Sequence, residues 1–274
     1  MMTSTELLPA EIRSSLATGD VLGAGEQLLR HGEELARRSP GRALDWARRL
    51  SSVATAPPLL AAYGRWTSGV VGHLAGDIPW AEGELRAAAR QMSRLGRGDL
   101  ADRTRLLVLD LYGEQLKLDK ARRLARHLRS RLVARGDVRR AAVVLANLAC
   151  AEDAADRVAR ARDLWRRARR DLEAGSLPAL LVRANLANVA AESGDLDRAI
   201  AEHGMVADAA RTLGFDALAL QAELNRAEAE FSAGLVDVAL KRWSMVLAES
   251  RREAAPLLEA TATLDLARAE MELG

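Results

Sequence analysis

The sequence predicts an all-α fold, a solenoid of about 14 helices stacked as helical hairpins, and three observations support this prediction. A pattern of about 40 residues repeats along most of the 274-residue chain. Good helix formers (Ala, Leu, Arg and Glu) dominate the composition, and aromatic residues make up only 3 %. Glycines and prolines fall mostly between stretches of helically spaced apolar residues, where they are expected to end helices.

The first 56 residues are predicted to form N-terminal helices with one irregular unit. The turn Gly-Asp-Val-Leu-Gly-Ala begins at Gly19 and resembles turns found later in the chain, but it lies 57 residues before the next one, at Gly76. Because this distance exceeds the period, one additional helix, from roughly Gly41 to Ala54, is expected to interrupt the repeat. We therefore divide the chain into residues 1–56 and one continuous run of repeats over residues 57–274.

Six segments of the C-terminal region share the same pattern. Those that begin at Asn185, Asn225 and Asp265 align without gaps, and each reaches a glycine nine residues later. The equivalent positions, called the slot here, are separated by 40, 40, 38, 40 and 40 residues, a regularity that chance does not give. In chain order the slot residues are Thr67, Leu107, Asn147, Asn185, Asn225 and Asp265.

Each unit contains two helical patterns joined by a tight turn. In the unit that begins at Leu177, apolar or small residues keep helical spacing up to Gly194, since glycine tolerates the left-handed backbone just past a helix end. Asp195 follows as the N-cap of the second helix. A small residue recurs near the start of each second helix, where a methyl group lets two helices approach closely. These residues are Ala24, Ala81, Ala121, Ala161, Ala199 and Ala239.

The turn Gly-Asp-Leu-Asp-Arg-Ala at Gly194 and the recurring alanine resemble the tetratricopeptide repeat (TPR), although its usual period of 34 residues is shorter. HEAT repeats have periods near 40 residues but are not expected to contain this turn. The resemblance implies a right-handed α-solenoid of TPR-like hairpins. Stacking would then bury the apolar faces and leave a concave groove that accepts a protein or peptide ligand.

One set of polar residues has a functional character, because Asn is a poor residue for a helix interior and its recurrence needs a reason. In TPR proteins the first helix of each hairpin lines the groove, and asparagines at this slot bind the main chain of a peptide. An alternative is that these amides bond neighbouring repeats together, and the sequence leaves both open. Arg183 and Arg226 could add charge at the groove edge. The candidate binding residues are Asn147, Asn185, Asn188, Asn225, Glu228 and Asp265, of which Asn188 and Glu228 lie three residues after a slot, on the same helix face.

A narrower resemblance rests on the run from Asn185 to Gly274 and on two earlier segments, RRSPGRALDWARRL from Arg37 and HLAGDIPWAEGELRAA from His73. These resemble the repeat arm of bacterial CHAT-domain proteins, which are caspase-like cysteine peptidases preceded by TPR arrays. The resemblance implies a non-catalytic arm that regulates such a peptidase or docks its substrate. Two alternatives stay open: the effector-sensing arm of a multidomain transcription regulator, and a free-standing adaptor.

No catalytic or cofactor motif accompanies the repeats. The sequence has no G-x-x-x-x-G-K-[ST], H-E-x-x-H or G-x-S-x-G motif, and its four histidines lie in separate units without metal-ligand spacing. The single cysteine, Cys150, lies in a repeat and is expected to be a small buried thiol. No cofactor, metal or enzymatic activity is therefore expected. One cysteine, the lack of a run of 18 apolar residues and the lack of a secretion signal predict a cytoplasmic protein without a membrane span.

Charge is distributed unevenly along the chain, although the net charge is only +2. Residues 119–175 contain 16 basic and 8 acidic residues, whereas residues 176–274 contain 9 and 16. Since 37 of the 40 basic residues are Arg and stacking aromatics are few, we expect solvated helix faces rather than nucleic-acid binding. The arginines concerned are Arg122, Arg126, Arg129, Arg166, Arg167, Arg169 and Arg170.

The final helix, from about Ala255, leads to a further expectation. Gly274 occupies the position of Gly194 and Gly234, which a second helix follows in the preceding units. The chain is therefore predicted to be cut within its solenoid, with a final helix that is mobile or packs against another copy. Its apolar residues, more than one neighbouring hairpin should cover, are Leu257, Leu258, Leu264, Leu266, Met271 and Leu273.

Overall fold

A computed structural model describes residues 8–52, 57–253 and 255–273, and within these ranges the chain forms 14 α-helices and no β-strand. The predicted fold class, an all-α solenoid of helical hairpins, is confirmed. The helices are α1 (Ala10–Ala17), α2 (Val21–Arg38), α3 (Pro40–Ser52), α4 (Pro58–Leu74), α5 (Ile78–Arg94), α6 (Gly98–Glu114), α7 (Leu118–Ala134), α8 (Val138–Asp153), α9 (Val158–Asp171), α10 (Leu177–Glu192), α11 (Leu196–Thr212), α12 (Asp216–Ser232), α13 (Val236–Arg252) and α14 (Pro256–Leu273).

The chain divides into two compact units, Met1–Leu128 and Arg129–Gly274. In unit 1, α4 packs against α2, α3 and α5, and α5 packs against α6. In unit 2, each helix from α8 to α14 packs against the next one along the chain. The first helices of successive hairpins in unit 2, which are α8, α10, α12 and α14, also contact one another.

The additional helix predicted from roughly Gly41 to Ala54 is α3; Ala54 itself lies outside the described residues. Ala43 and Ala47 of α3 are fully buried and pack in a cluster that includes Val71 of α4. The Ser68 hydroxyl of α4 donates a 3.0 Å hydrogen bond to the Ala47 carbonyl. Packing on α2 and α4 thus secures α3 within unit 1.

The predicted small-residue position is confirmed as a contact between helices. All six alanines at this position, from Ala24 in α2 to Ala239 in α13, are fully buried. A methyl group is small enough for the backbones to approach closely, whereas a larger side chain would overpack the contact by roughly 1–3 kcal/mol. The same position in every hairpin therefore sets the distance at which a second helix packs.

The turns inside the hairpins need one residue with positive φ, and in four of the described turns it is glycine, as at Gly194 with φ of 81°. Two hairpins place another residue there: Leu116, with φ of 53°, between α6 and α7, and Asp156, with φ of 59°, between α8 and α9. A left-handed backbone costs an L-residue roughly 1–2 kcal/mol. The side chain of Leu116 is 56 % exposed, so little packing compensates for this cost.

We predict that Leu116→Gly stabilises the protein. Relief of the left-handed strain should outweigh the greater flexibility of glycine in the unfolded chain and add about 0.5–1 kcal/mol to the free energy of unfolding. Asp156→Gly should add less, because Asp tolerates this conformation better. Urea unfolding measures both effects.

Gly194→Ala provides the matched control. A Cβ at this position would meet no atom within 4 Å, so only the backbone conformation opposes the substitution. This variant should lose about 1 kcal/mol. A Leu116→Gly variant that is less stable than the wild type would contradict the strain assigned to Leu116.

His203 of α11 is a buried titratable group, with 1 % of its surface exposed. Burial lowers the pKa of its imidazole from 6.5 to about 4, and the charge of neighbouring Glu202 offsets only part of this effect. No partner for Nδ1 is present among the described residues. The folded protein therefore holds this ring in its neutral form over a pH range in which the unfolded chain protonates it.

We predict that this histidine makes unfolding sensitive to acid. Because its pKa is lower in the folded state, its contribution is complete above pH 6.5 and is lost as the pH falls towards 4. The loss should reach about 3 kcal/mol, from 1.36 kcal/mol for each pKa unit. Urea unfolding at several pH values should show a smaller loss in His203→Leu than in the wild type, and equal losses would contradict the role of this histidine.

The final helix, α14, has several large apolar side chains exposed to solvent. Leu258 is buried and Leu266 packs against a cluster around Trp243, but Leu257, Leu264 and Met271 are 78 %, 69 % and 78 % exposed. The side chain of Leu273, and Gly274, lie outside the described residues. The prediction that this helix is mobile or packs against another copy stays a prediction.

Candidate functional site

The six predicted binding residues lie on one set of helices, the first helices of successive hairpins in unit 2. All six are half-buried, so each side chain contacts both the protein and the solvent. We call this set the polar ladder: Asn147 in α8, Asn185 and Asn188 in α10, Asn225 and Glu228 in α12, and Asp265 in α14.

Polar contacts join each of these helices to the next. Between α8 and α10, the Asn185 amide donates a long hydrogen bond of 3.7 Å to the Cys150 sulfur. Between α10 and α12, the Asn225 amide donates to the Asn188 carbonyl at 3.1 Å. Between α12 and α14, Arg268 donates to Glu228. Bonding between repeats, the second alternative from the sequence, is therefore present at each of these steps.

The contacts follow one register. A residue three positions after the slot of one first helix meets the slot residue of the next, as Asn188 meets Asn225 and Cys150 meets Asn185. At the last step this register brings together two carboxylates, Glu228 and Asp265. Burial and the charge of Glu228 raise the pKa of Asp265. Arg268 lies 3.6 Å from Asp265 and also pairs with Glu228, so it offsets the repulsion.

The sequence pointed to the slot and to two positions beyond it, but it missed Cys150 and Arg268. Both lie three residues after a slot residue, as Asn188 and Glu228 do, so the same spacing could have identified them. Cys150 was also expected to be buried, and this prediction was wrong. The cysteine is exposed, because it lies on the face that carries the ladder rather than on the face that packs against α9.

Bonding between repeats leaves part of the ladder unused. Asn225 uses both polar atoms, since Gln221 donates to its carbonyl at 3.0 Å. In contrast, neither the amide nitrogen of Asn188 nor the carbonyl oxygen of Asn185 has a hydrogen-bond partner within the described part of the chain. One donor and one acceptor on α10 are therefore available to a ligand.

The arginines proposed for the groove edge are already paired. Arg183 of α10 bonds Glu202 of α11, and Arg226 lies 3.2 Å from Glu230 in its own helix. Neither is a free cation, which reduces the charge they can offer to a ligand.

A network of buried carboxylates fixes α12 behind the ladder. Glu223 and Glu230 of α12 are only 4 % and 2 % exposed. Arg242 of α13 donates to both, at 2.5 Å and 2.7 Å, and Arg211 of α11 donates to Glu223 at 2.9 Å. Because these bonds tie α12 to the second helices on either side, they fix its rotation and hence the positions of Asn225 and Glu228.

We predict that Arg242→Met unfolds unit 2 more easily. The substitution leaves Glu223 and Glu230 buried with too few partners, and breaking such a pair costs roughly 3–5 kcal/mol. Urea unfolding measures the loss. The matched control is Arg251→Met in the same helix, whose partner Glu259 lies at 2.8 Å but whose side chain is exposed. It should cost less than about 1 kcal/mol, and equal losses would contradict the role of burial.

Unit 1 contains a second candidate site, a cavity of about 490 Å³ lined by residues of α2, α4, α5 and α6. Arg103 lies 4.9 Å over the ring of Trp66 and pairs with Glu26 at 2.9 Å. The Tyr63 hydroxyl also donates to Glu26 at 2.9 Å. Burial opposes ionisation of Glu26, but bonds from Arg103 and Tyr63 prevail and lower its pKa. This cavity could not be predicted from the sequence, because Glu26 and Arg103, which pair at it, are 77 positions apart.

Neither a metal site nor a membrane-spanning helix is found in the described part of the chain. Residues 8–52, 57–253 and 255–273 contain no group of three or more His, Cys, Asp or Glu side chains that could hold a metal ion. Among the described helices, none is sufficiently long and apolar to cross a membrane.

Comparison with known proteins places the fold among helical repeats. No protein-family model and no curated protein matches the chain. The crystal structure of BtubC (BKLC) from P. vanneervenii is 21 % identical, over 84 % of this chain and 92 % of that one, with a TM-score of 0.56. The structure of a Rap protein complexed with Competence and Sporulation Factor is 11 % identical, over 90 % and 74 % of the two chains, with a TM-score of 0.59. At these identities the likeness shows the fold alone, a TPR-like helical repeat.

Proposed function

We propose that this chain is a non-catalytic scaffold that binds a protein or peptide segment along the polar ladder of unit 2. The observation that carries the proposal is the unused donor of Asn188 and the unused acceptor of Asn185, both on half-buried amides of α10. The main chain of an extended peptide offers one donor and one acceptor per residue, which a side-chain amide can match. Such bonds do not depend on the sequence of the peptide.

The bonds between repeats are compatible with this role, because the side chains stay half-buried and keep unused polar atoms. These bonds hold Asn185, Asn188 and Asn225 in fixed positions before a ligand arrives, and a preorganised site loses less entropy on binding. The similar fold of a Rap protein complexed with Competence and Sporulation Factor gives support by analogy of fold.

A more specific role is that of a regulatory or substrate-docking arm of a CHAT-type caspase-like peptidase in a bacterial cytoplasm. The support is the resemblance of residues 185–274 and of the segments from Arg37 and His73 to the repeat arms of those proteins. The partner in cis would then be the peptidase domain. An effector-sensing arm of a transcription regulator and a free-standing adaptor are the alternatives. The coding sequence beyond Gly274 distinguishes the three.

The binding proposal is tested with peptides selected against the wild-type protein from a random library. We predict that Asn185→Ala and Asn188→Ala each weaken binding of a selected peptide about fivefold to tenfold, as loss of one hydrogen bond implies. Fluorescence anisotropy measures the affinities, and circular dichroism confirms the fold. Ser244→Ala, an exposed position on the second helix α13, serves as the control and should leave the affinity unchanged.

Two outcomes would contradict the proposed site. In one, selection yields no peptide that binds, or the asparagine variants bind the selected peptides as well as the wild type does. In the other, the peptides lose affinity with Arg103→Gln but not with the asparagine variants, which would move the site to the cavity of unit 1.

A further inference from the structure

A second cavity in unit 1, of about 580 Å³, lies between the second helices α5 and α7 and over the first helix α6. Its lining contains six basic residues and no acidic residue. Those on α5 and α6 are Arg86, Arg90 and Arg105, and those on α7 are Lys120, Arg123 and His127. The floor is apolar and aromatic and consists of Ala89, Val108, Tyr112 and Leu124.

Within the described residues, two of these basic side chains form ion pairs, and the charge of Glu82 also acts on Lys120. Arg86 lies 3.3 Å from Glu82, and Arg105 lies 2.7 Å from Asp102. Lys120 lies 5.6 Å over the ring of Tyr112. Within the described residues, Arg90, Lys120, Arg123 and His127 form no ion pair, and all four side chains are exposed. The guanidinium groups of Arg90 and Arg123 are therefore exposed and without an ion pair in the described part of the chain.

The arrangement concentrates positive potential at one place. Arg86 and Arg90 are four residues apart on one helix, and Lys120, Arg123 and His127 are three and four apart on another, so each group shares a face. Like charges at these spacings repel one another and destabilise a helix slightly. A cleft lined by one sign of charge, with low-dielectric walls, focuses the field and attracts a counter-ion. A bound anion would therefore relieve repulsion that the protein alone leaves in place.

We propose that this cavity binds a small phosphorylated molecule that carries several negative charges. Arginine forks match phosphate oxygens with charge-assisted, paired hydrogen bonds, and five of the six basic residues are Arg or Lys. The volume lies within the 300–1,000 Å³ typical of small-ligand sites and exceeds what a bare phosphate fills. The apolar floor gives the organic part of the ligand a surface to pack on. This site uses none of the polar-ladder residues and is independent of peptide binding.

The clustering of the charges around one cleft favours a small molecule over a macromolecule. The charges surround one cavity of about 580 Å³, whereas the carboxylates of an acidic peptide are spread along an extended chain. Another basic cavity lies in unit 2 and is lined by Arg162, Arg166 and Arg169 of α9 and by Asp195. Its volume is only about 150 Å³. It is smaller and partly neutralised, so the cavity beside α6 is the stronger site.

The test is isothermal titration of the full chain with inorganic phosphate, pyrophosphate and a nucleoside triphosphate at constant ionic strength. Pyrophosphate and the triphosphate should bind at least about tenfold more tightly than phosphate, because they engage more cations. The double variant Arg90→Gln/Arg123→Gln should lose about tenfold to a hundredfold in affinity for the triphosphate. Circular dichroism verifies the fold of each variant.

A matched control separates a built site from general attraction. Arg94→Gln/Arg126→Gln removes the same charge from the same two helices, and both arginines are exposed but do not line the cavity. Its affinity should stay within about threefold of the wild type, as expected for screened charges outside the site. Equal losses in the two double variants would overturn the proposal, as would no binding of any of the three probes. A polyglutamate peptide or duplex DNA that binds more tightly than the triphosphate, and is sensitive to Arg90→Gln/Arg123→Gln, would replace the small molecule with a macromolecular partner.

Discussion

A helical hairpin has more apolar surface than its own two helices can cover, and stacking on the next hairpin is what covers it. The fully buried alanines near the start of the second helices make this stacking possible, because they let backbones approach closely. Within unit 2 the close packing places α8, α10, α12 and α14 in contact with one another. The polar ladder therefore depends on an apolar contact at a different position in the hairpin.

A polar residue in a repeat protein can stabilise the contact between two hairpins and still have a polar atom available to bind a ligand. The bond between Asn188 and Asn225 connects two hairpins, yet it uses only the carbonyl of Asn188 and leaves its amide hydrogens unpaired within the described residues. Behind it, Glu223 and Glu230 are buried, and Arg242 donates hydrogen bonds to both, so these carboxylates serve to orient α12. The difference between the two sets is access to solvent, which decides whether a polar group can still bind something else.

The fold could be predicted because the same sequence pattern recurs about every 40 residues. Each period contains a turn and a small residue, so the loss of the glycine at Leu116 and Asp156 did not obscure the pattern. The slot residues were predictable for the same reason. Two of their partners, Cys150 and Arg268, were missed, although they lie at the same spacing from a slot residue as Asn188 and Glu228. The basic cavity was missed because it joins Arg90 to Arg123, which are far apart in the sequence and belong to separate hairpins. The number of charges along the chain cannot show which arginines line the same cavity.

The six buried alanines also have an evolutionary consequence. Each period of about 40 residues has one position at which a larger side chain would overpack the contact, while many surface positions tolerate substitution. Mutations can therefore accumulate over most of the sequence without loss of the architecture. A scaffold of this kind can acquire a new binding surface on one set of helices through substitutions that leave the packing of the other set unchanged.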